Sequence, residues 1–254
     1  MRFDIMTLFP EMLDSIFNES IIGRAQKNGF IDINCHNIRD FSENKHRKVD
    51  DTPYGGGMGM LMSAPPIYNC YKAITKDRAE KPHTIYLSPK GRTLTHKVVK
   101  ELSQHNELVI LCGHYEGVDQ RVIDLIVDDE ISIGDFVLTG GELAAAVIVD
   151  SVSRLIDGVL PDKECYEKES IANGLLEFPQ YTRPYDFMGK KVPDVLLSGN
   201  HSDIEKWRFE QSLNITRNRR PDLYEKIDLN EKKLELKDYI RKACTGGNND
   251  GKEE

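Results

Sequence analysis

No apolar run in this 254-residue chain approaches bilayer-spanning length, since LAAAVIV (Leu143 to Val149) is far too short. Cysteine is also scarce. The five residues Cys35, Cys70, Cys112, Cys165 and Cys244 are scattered, odd in number and without C-x-x-C spacing. That pattern indicates neither a disulfide framework nor a zinc site, and it fits a reducing cytoplasm. There is no G-x-G-x-x-G and no Walker A lysine pattern, which weakens dinucleotide and P-loop readings. The N-terminus MRFDIMTLFPEM lacks a cleavage site, and acidic residues interrupt its apolar stretch, so no signal peptide is expected. Positive charge is short as well. A net charge of −8 argues mildly against nucleic acid as a partner.

What is present is an ordinary soluble composition, 39% hydrophobic and 30% charged, long enough for one large or two small domains. The basic residues are clustered. From Arg183 to Pro221, eight basic residues face five acidic ones, a local net of +3 in an acidic chain. A second cluster, KHRK, spans Lys45 to Lys48. Either could be a solvated face, but two clusters in an acidic chain raise the odds of a phosphate-rich partner.

The first two-thirds alternate in the α/β manner. Strands are expected at Arg2 to Leu8 (stopped by Pro10), Phe30 to Ile38, His83 to Ser88, Glu107 to Cys112 and Asp129 to Ile133. Helices are expected at Ser20 to Asn28 (ended by Gly29), Ile67 to Ala73 (entered through Pro65-Pro66), Thr95 to Ser103 and Val118 to Ile126. Apolar strands separated by helices imply a mostly parallel sheet covered on both faces. From Asp157 to Asn200 periodicity fades and prolines accumulate, so this segment reads as an irregular linker. Ser202 to Glu205 matches a capping box opening a helix to about Asn218, and a last helix spans roughly Glu231 to Lys242. The division expected is 1–157 for the α/β domain, 158–178 for the linker, 179–244 for a helical domain and 245–254 for a disordered tail.

Ligands of open parallel sheets bind beyond the carboxyl ends of the strands. Each of the last three strands ends in a glycine-bearing turn: Ser88 to Arg92, Cys112 to Gly117, and Ile133 to Gly141. Together they could form one pocket or be three economical connections. In the third, Gly140-Gly141 opens a helix, where missing Cβ atoms and helix N–H groups suit a closely held ligand. The alternative is a tight turn packed against a neighbouring helix. Asp150 and Arg154 follow on one face of that helix, and their plainest meaning is an ion pair.

Taken together, DDTPYGGGM (Asp50 to Met58), Ser88 to Arg92, Cys112 to Gly117, Ser132 to Glu142, Asp150 to Arg154, Tyr181 to Pro184 and VLLSGNH (Val195 to His201) resemble the bacterial tRNA (guanine-N1)-methyltransferases of the SPOUT superfamily. The resemblance runs from the N-terminus to about Lys242. It implies a parallel α/β domain closing in a C-terminal trefoil knot, followed by a small helical domain. It implies a homodimer that methylates N1 of the guanine immediately 3′ of the anticodon. It implies that S-adenosylmethionine is held by Tyr86, Leu87, Ser88, Pro89, Gly113, Tyr115, Glu116, Gly117, Ile133, Gly134, Asp135, Phe136, Val137, Leu138, Gly140 and Gly141. RNA contacts are implied for Asp50, Gly55, Gly56, Gly57, Arg183, Arg217, Arg219 and Arg220. The family is associated with magnesium, but no ligand cluster in the sequence identifies a metal site.

N1 of neutral guanine carries a proton, so the reaction needs a base there and a cation or donor for charge developing on O6. Arg154 resembles the family's O6-stabilising arginine. The family's base is an aspartate in a D-S pair, and Glu169-Ser170 stands at that place. Glutamate has the same chemistry, with its carboxylate one methylene further out. Its plainer meaning is a solvated carboxylate among Glu164, Glu167 and Lys168. A smaller departure is LAAAV after Gly141-Glu142, where the family commonly has an early proline. Competing readings are a methyltransferase for another RNA or base, a non-catalytic RNA-binding protein, and a nicotinamide oxidoreductase. The last lacks its glycine fingerprint.

Overall fold

The computed structural model describes residues 1–162, 166 and 169–245. The chain divides into two compact units, Met1–Lys163 and Glu164–Glu254.

Five strands of the first unit form one sheet: β1 (Arg2–Thr7), β2 (Asp32–Asn37), β5 (His83–Thr93), β6 (Glu107–Leu111) and β7 (Asp129–Ser132). Their order is β2-β1-β6-β5-β7, and every pairing is parallel. Side chains alternate across a strand, so the buried strands supply two cores. Phe3, Ile5, Ile85, Leu108 and Ile110 face one core, shared with α1 (Glu11–Phe17), α2 (Ser20–Lys27), α4 (His96–Leu102) and α6 (Glu142–Ser153). Met6, Tyr86, Val109 and Leu111 face the other, shared with α3 (Ala64–Thr75) and α5 (Gln120–Ile126). The α/β expectation holds, and the sheet is wholly parallel.

Several local expectations change. Pro10 does not merely stop a strand; it is the N-cap of α1. That helix buries Leu13 and Phe17, while Met12 and Ile16, on the adjoining side of the same apolar face, stay exposed. The first helical turn of α3 begins before Pro65, as proline tolerates. β5 runs past Ser88: Leu87 and Arg92 both pair with Ile131, so the intervening residues loop out as a bulge. A two-residue ladder, β3 (Asp50–Asp51) with β4 (Leu61–Met62), closes the glycine-rich loop and was not foreseen.

In the second unit a two-stranded ribbon, β8 (Asp186–Phe187) and β9 (Lys190–Lys191), precedes the helices α7 (His201–Arg219), α8 (Pro221–Tyr224) and α9 (Leu229–Thr245). The capping box at Ser202 is not the start of α7. Asn200 is the N-cap, its side-chain oxygen accepting from the Ser202 and Asp203 amides. The expected tail lies outside the described residues from position 246 onward.

Candidate small-molecule site

The site is built at the carboxyl ends of β5, β6 and β7. The three turns there surround one cavity of about 400 Å³, within the usual range for small-molecule sites. Of the residues assigned to a cofactor in the sequence, Tyr86, Leu87, Ser88, Pro89, Gly113, Tyr115, Glu116, Gly117, Ile133, Gly134, Phe136, Val137, Leu138, Gly140 and Gly141 line it. Asp135 is not among the lining residues. His114, Glu130, Ile131 and Thr139 also line it and were missed. Their positions inside or beside the glycine turns were the available signal.

The walls are close-fitting. A Cβ on Gly113 would stand 3.0 Å from the Tyr86 hydroxyl. Tyr86 is 8% exposed, and burial pushes its phenol up, with Glu130 adding to the shift. Tyr115 holds a left-handed backbone, φ +58°, rare for a bulky residue and a kind of strain that gathers at ligand sites. Gly117 and Gly134 have φ of +120° and +147°, which a side chain rarely adopts.

Gly140 and Gly141 answer to both readings made of them. They line the cavity, yet their missing Cβ atoms are demanded first by the protein itself. A Cβ on Gly140 would lie 2.2 Å from His114 Nε2, and one on Gly141 2.8 Å from the Cys112 Cα. The Gly141 amide donates to the Gly113 carbonyl at 3.0 Å, so that helix-start N–H is not offered to a ligand. The third turn is thus pressed against the second.

The remaining assigned residues lie elsewhere. Arg154 is the half-buried C-cap of α6, its amide donating to the Asp150 carbonyl at 3.2 Å. Glu169 is half-buried in the second unit, where its carbonyl accepts from Ala172. Its flanking residues Glu164, Glu167 and Lys168 lie outside the described residues. Asp50 pairs with Met62 at the base of the glycine loop. Gly55, Gly56 and Gly57 all have positive φ with no neighbour where a Cβ would be, and Tyr54 beside them is 100% exposed. That loop is tied to the second turn: the Glu116 amide donates to Met60 and the Met62 amide to Gly117. Arg183, Arg217 and Arg219 are exposed, whereas Arg220 pairs with Asp222 at 2.7 Å. A second cavity of about 600 Å³ lies within the second unit, lined by Phe178, Tyr181, Arg183, Tyr185 and Arg208. It has no glycine turns at strand ends. Among the described residues no group of three His, Cys, Asp or Glu is arranged to hold a metal.

A wholly parallel sheet with a glycine-walled cavity at its carboxyl edge defines a small-molecule-binding α/β protein. Comparison narrows the class. Residues 1–226 match the family model described as tRNA (Guanine-1)-methyltransferase TrmD. The chain is 58% identical over 227 residues to the tRNA (guanine-N(1)-)-methyltransferase of Ruminiclostridium cellulolyticum, covering 89% of this chain and 97% of the relative. It is 57% identical over 227 residues to that of Clostridioides difficile, covering 89% and 98%. With that of Clostridium botulinum it shares 57% identity over 243 residues, covering 95% and 100%. The chain belongs to the tRNA (guanine-1)-methyltransferase family.

Proposed function

We propose that this chain transfers a methyl group from S-adenosylmethionine to N1 of the guanine immediately 3′ of the anticodon in tRNA, as a cytoplasmic homodimer. The observation that carries the reading is the convergence of three glycine turns on one cavity, in a chain that belongs to this family.

The cavity fits the methyl donor. Backbone from three turns forms its walls, and Gly113 faces Tyr86 so closely that a Cβ would fill the space between them. Tyr86, Leu87, Ile133 and Leu138 offer apolar surface to an adenosine group. When bound, S-adenosylmethionine supplies a methyl group already activated by its positive sulfur. The protein therefore needs to align the guanine and manage one proton. Glu169 takes the N1 proton, and the Arg154 guanidinium stabilises charge developing on O6. Arg154 belongs to the first unit and Glu169 to the second.

The loop carrying Asp50 and Gly55 to Gly57 contacts the anticodon arm. Its exposed Tyr54 and Met58, the latter 93% exposed, support that role, because unstacked bases are held on such side chains. Arg183, Arg217, Arg219 and Arg220 hold the backbone. Dimerisation through α1 and α6 is supported by Met12, Ile16, Leu143 and Val147, all exposed on these two helices. A trefoil knot is supported by two close passages. Gly91 lies so near the Glu130 backbone that a Cβ would approach within 2.3 Å, and Gly141 is pressed against Cys112. The described thiols Cys35, Cys70 and Cys112 are free, as in a reducing compartment. No described helix is long and apolar enough to cross a membrane.

The test is incubation with labelled S-adenosylmethionine and an unmodified tRNA transcript, followed by nucleoside mapping. The reading requires label in 1-methylguanosine 3′ of the anticodon. Label at another base or position, or in ribosomal RNA alone, overturns it.

A further inference from the structure

We propose that Glu142 and Thr7 are positioning residues for the methyl-donor pocket, acting through His114 to clamp the second glycine turn to the third. The inference rests on that pocket being the S-adenosylmethionine site.

Glu142 is the first residue of α6, and only 1% of it is exposed. A carboxylate so buried is costly unless paired. Thr7 Oγ1 donates to its Oε1 at 2.6 Å, and His114 Nε2 lies 2.7 Å from its Oε2. An ionised carboxylate only accepts, so His114 Nε2 carries the hydrogen. The helix N-terminus favours the negative charge. The Thr7 hydroxyl is used twice, for it also accepts from the Phe9 amide at 2.9 Å. The Phe9 ring then packs edge-on against His114, centroids 4.9 Å apart.

The node joins three segments at the pocket: the end of β1, the turn after β6 and the start of α6. Thr7 and Glu142 stand 135 residues apart in the chain. Neither is among the residues lining the cavity, whereas His114, Gly113, Tyr115, Gly140 and Gly141 are. An apolar trio could fill the same volume without burying charge. Charge-assisted bonds fix direction as well as distance, which is what two turns lacking side-chain bulk require. The node also explains Gly140, since a Cβ there would strike both His114 Nε2 and, at 2.5 Å, Glu142 Oε2.

The test is steady-state methylation of unmodified tRNA by the full chain, with calorimetry of S-adenosylmethionine binding and a melting curve for each variant. Thr7→Val removes both hydroxyl bonds, to Glu142 and from the Phe9 amide, at constant shape, and Glu142→Gln keeps the volume but removes the charge. Each should raise KM and Kd for S-adenosylmethionine about ten- to a hundredfold, the scale of a bond to a charged group. The KM for tRNA should stay within twofold, and the double variant should lose much less than the product of the single losses. Both variants binding S-adenosylmethionine as the parent does, with only the melting temperature lowered, would make the node merely structural and overturn the proposal. Failure of the parent chain to bind S-adenosylmethionine would instead refute the functional reading.

Discussion

The two units of this chain are held together differently. In Met1–Lys163 the sheet is sandwiched between two apolar cores. In the second unit, Leu175, Ser212 and Thr216 are the buried positions among the described residues, and two of these are polar. Its order rests on individual polar and aromatic contacts instead. Thr216 Oγ1 accepts from the Leu176 amide at 2.8 Å, Arg208 lies over the Phe178 ring at 4.9 Å, and Asn200 caps α7. A region with two cores can fix a pocket before a ligand arrives. A region with little core is suited to contacts completed by a partner.

The largest expected effect tests whether the weakly cored unit is nonetheless chemical. Glu169→Gln should slow single-turnover methylation roughly a hundred- to ten-thousandfold, with tRNA and S-adenosylmethionine saturating. Glu169→Asp should retain much of the rate. In the first unit, Arg154→Ala should cost about a hundredfold or more in the same assay and affect tRNA binding less. Near-normal transfer by the Gln variant would remove the second unit from the proton's path.

Stability should separate the units next. Ile110→Ala, at a fully buried position, should lower unfolding free energy by about 2–5 kcal/mol in urea titration. Leu234→Ala, at a side chain 62% exposed in α9, should change it by about 0.5 kcal/mol or less. Similar losses would contradict the contrast in packing.

Charge should separate them in the opposite sense. Replacing Arg217, Arg219 and Arg220 by Gln should weaken tRNA binding and flatten its dependence on salt, because fewer counterions are released. Affinity for S-adenosylmethionine should not move. An unchanged salt slope would remove these arginines from the RNA interface.

The smallest effect is acid sensitivity, placed in the first unit. Burial pushes the Asp4 carboxyl up, but hydrogen bonds from His36 and Arg2 more than offset this, and it ends below the ordinary range. Its stabilisation is present above about pH 4 and is lost as pH falls through the lowered value. Burial, with like charge from His105 stacked at 4.4 Å, lowers His83. The unfolded chain therefore binds that proton more readily, and the His83 contribution, complete above about pH 6.5, fades as acid is added. Melting temperature should fall from pH 7 toward pH 5, and less so in His83→Gln. A melting temperature that rises over this interval would contradict the sign.

The same contrast governs what could be read from residues. In the first unit, near-continuous apolar runs reported the central strands directly, because both of their faces are buried. Thr95 marked a helix start that the structure keeps. Helix α1 escaped notice because its seven residues are too few for a helical period to declare itself. The pocket was legible because glycines at strand ends are informative. His114 was passed over because the reason for its position lies in Glu142 and Thr7, far off in the chain. In the second unit, where caps and aromatic contacts replace a core, the sequence offered little periodicity, and Ser202 was mistaken for the cap that Asn200 provides.

The central claim, that the glycine turns of the first unit hold the methyl donor without help from RNA, is tested most directly by calorimetry. S-adenosylmethionine is titrated into the full chain, wild type and Gly140→Val, with no tRNA present. The account predicts binding by the wild type and at least about tenfold weaker binding by a variant that remains folded, because the new side chain must displace His114 and Glu142. Equal affinity in a folded variant would contradict it.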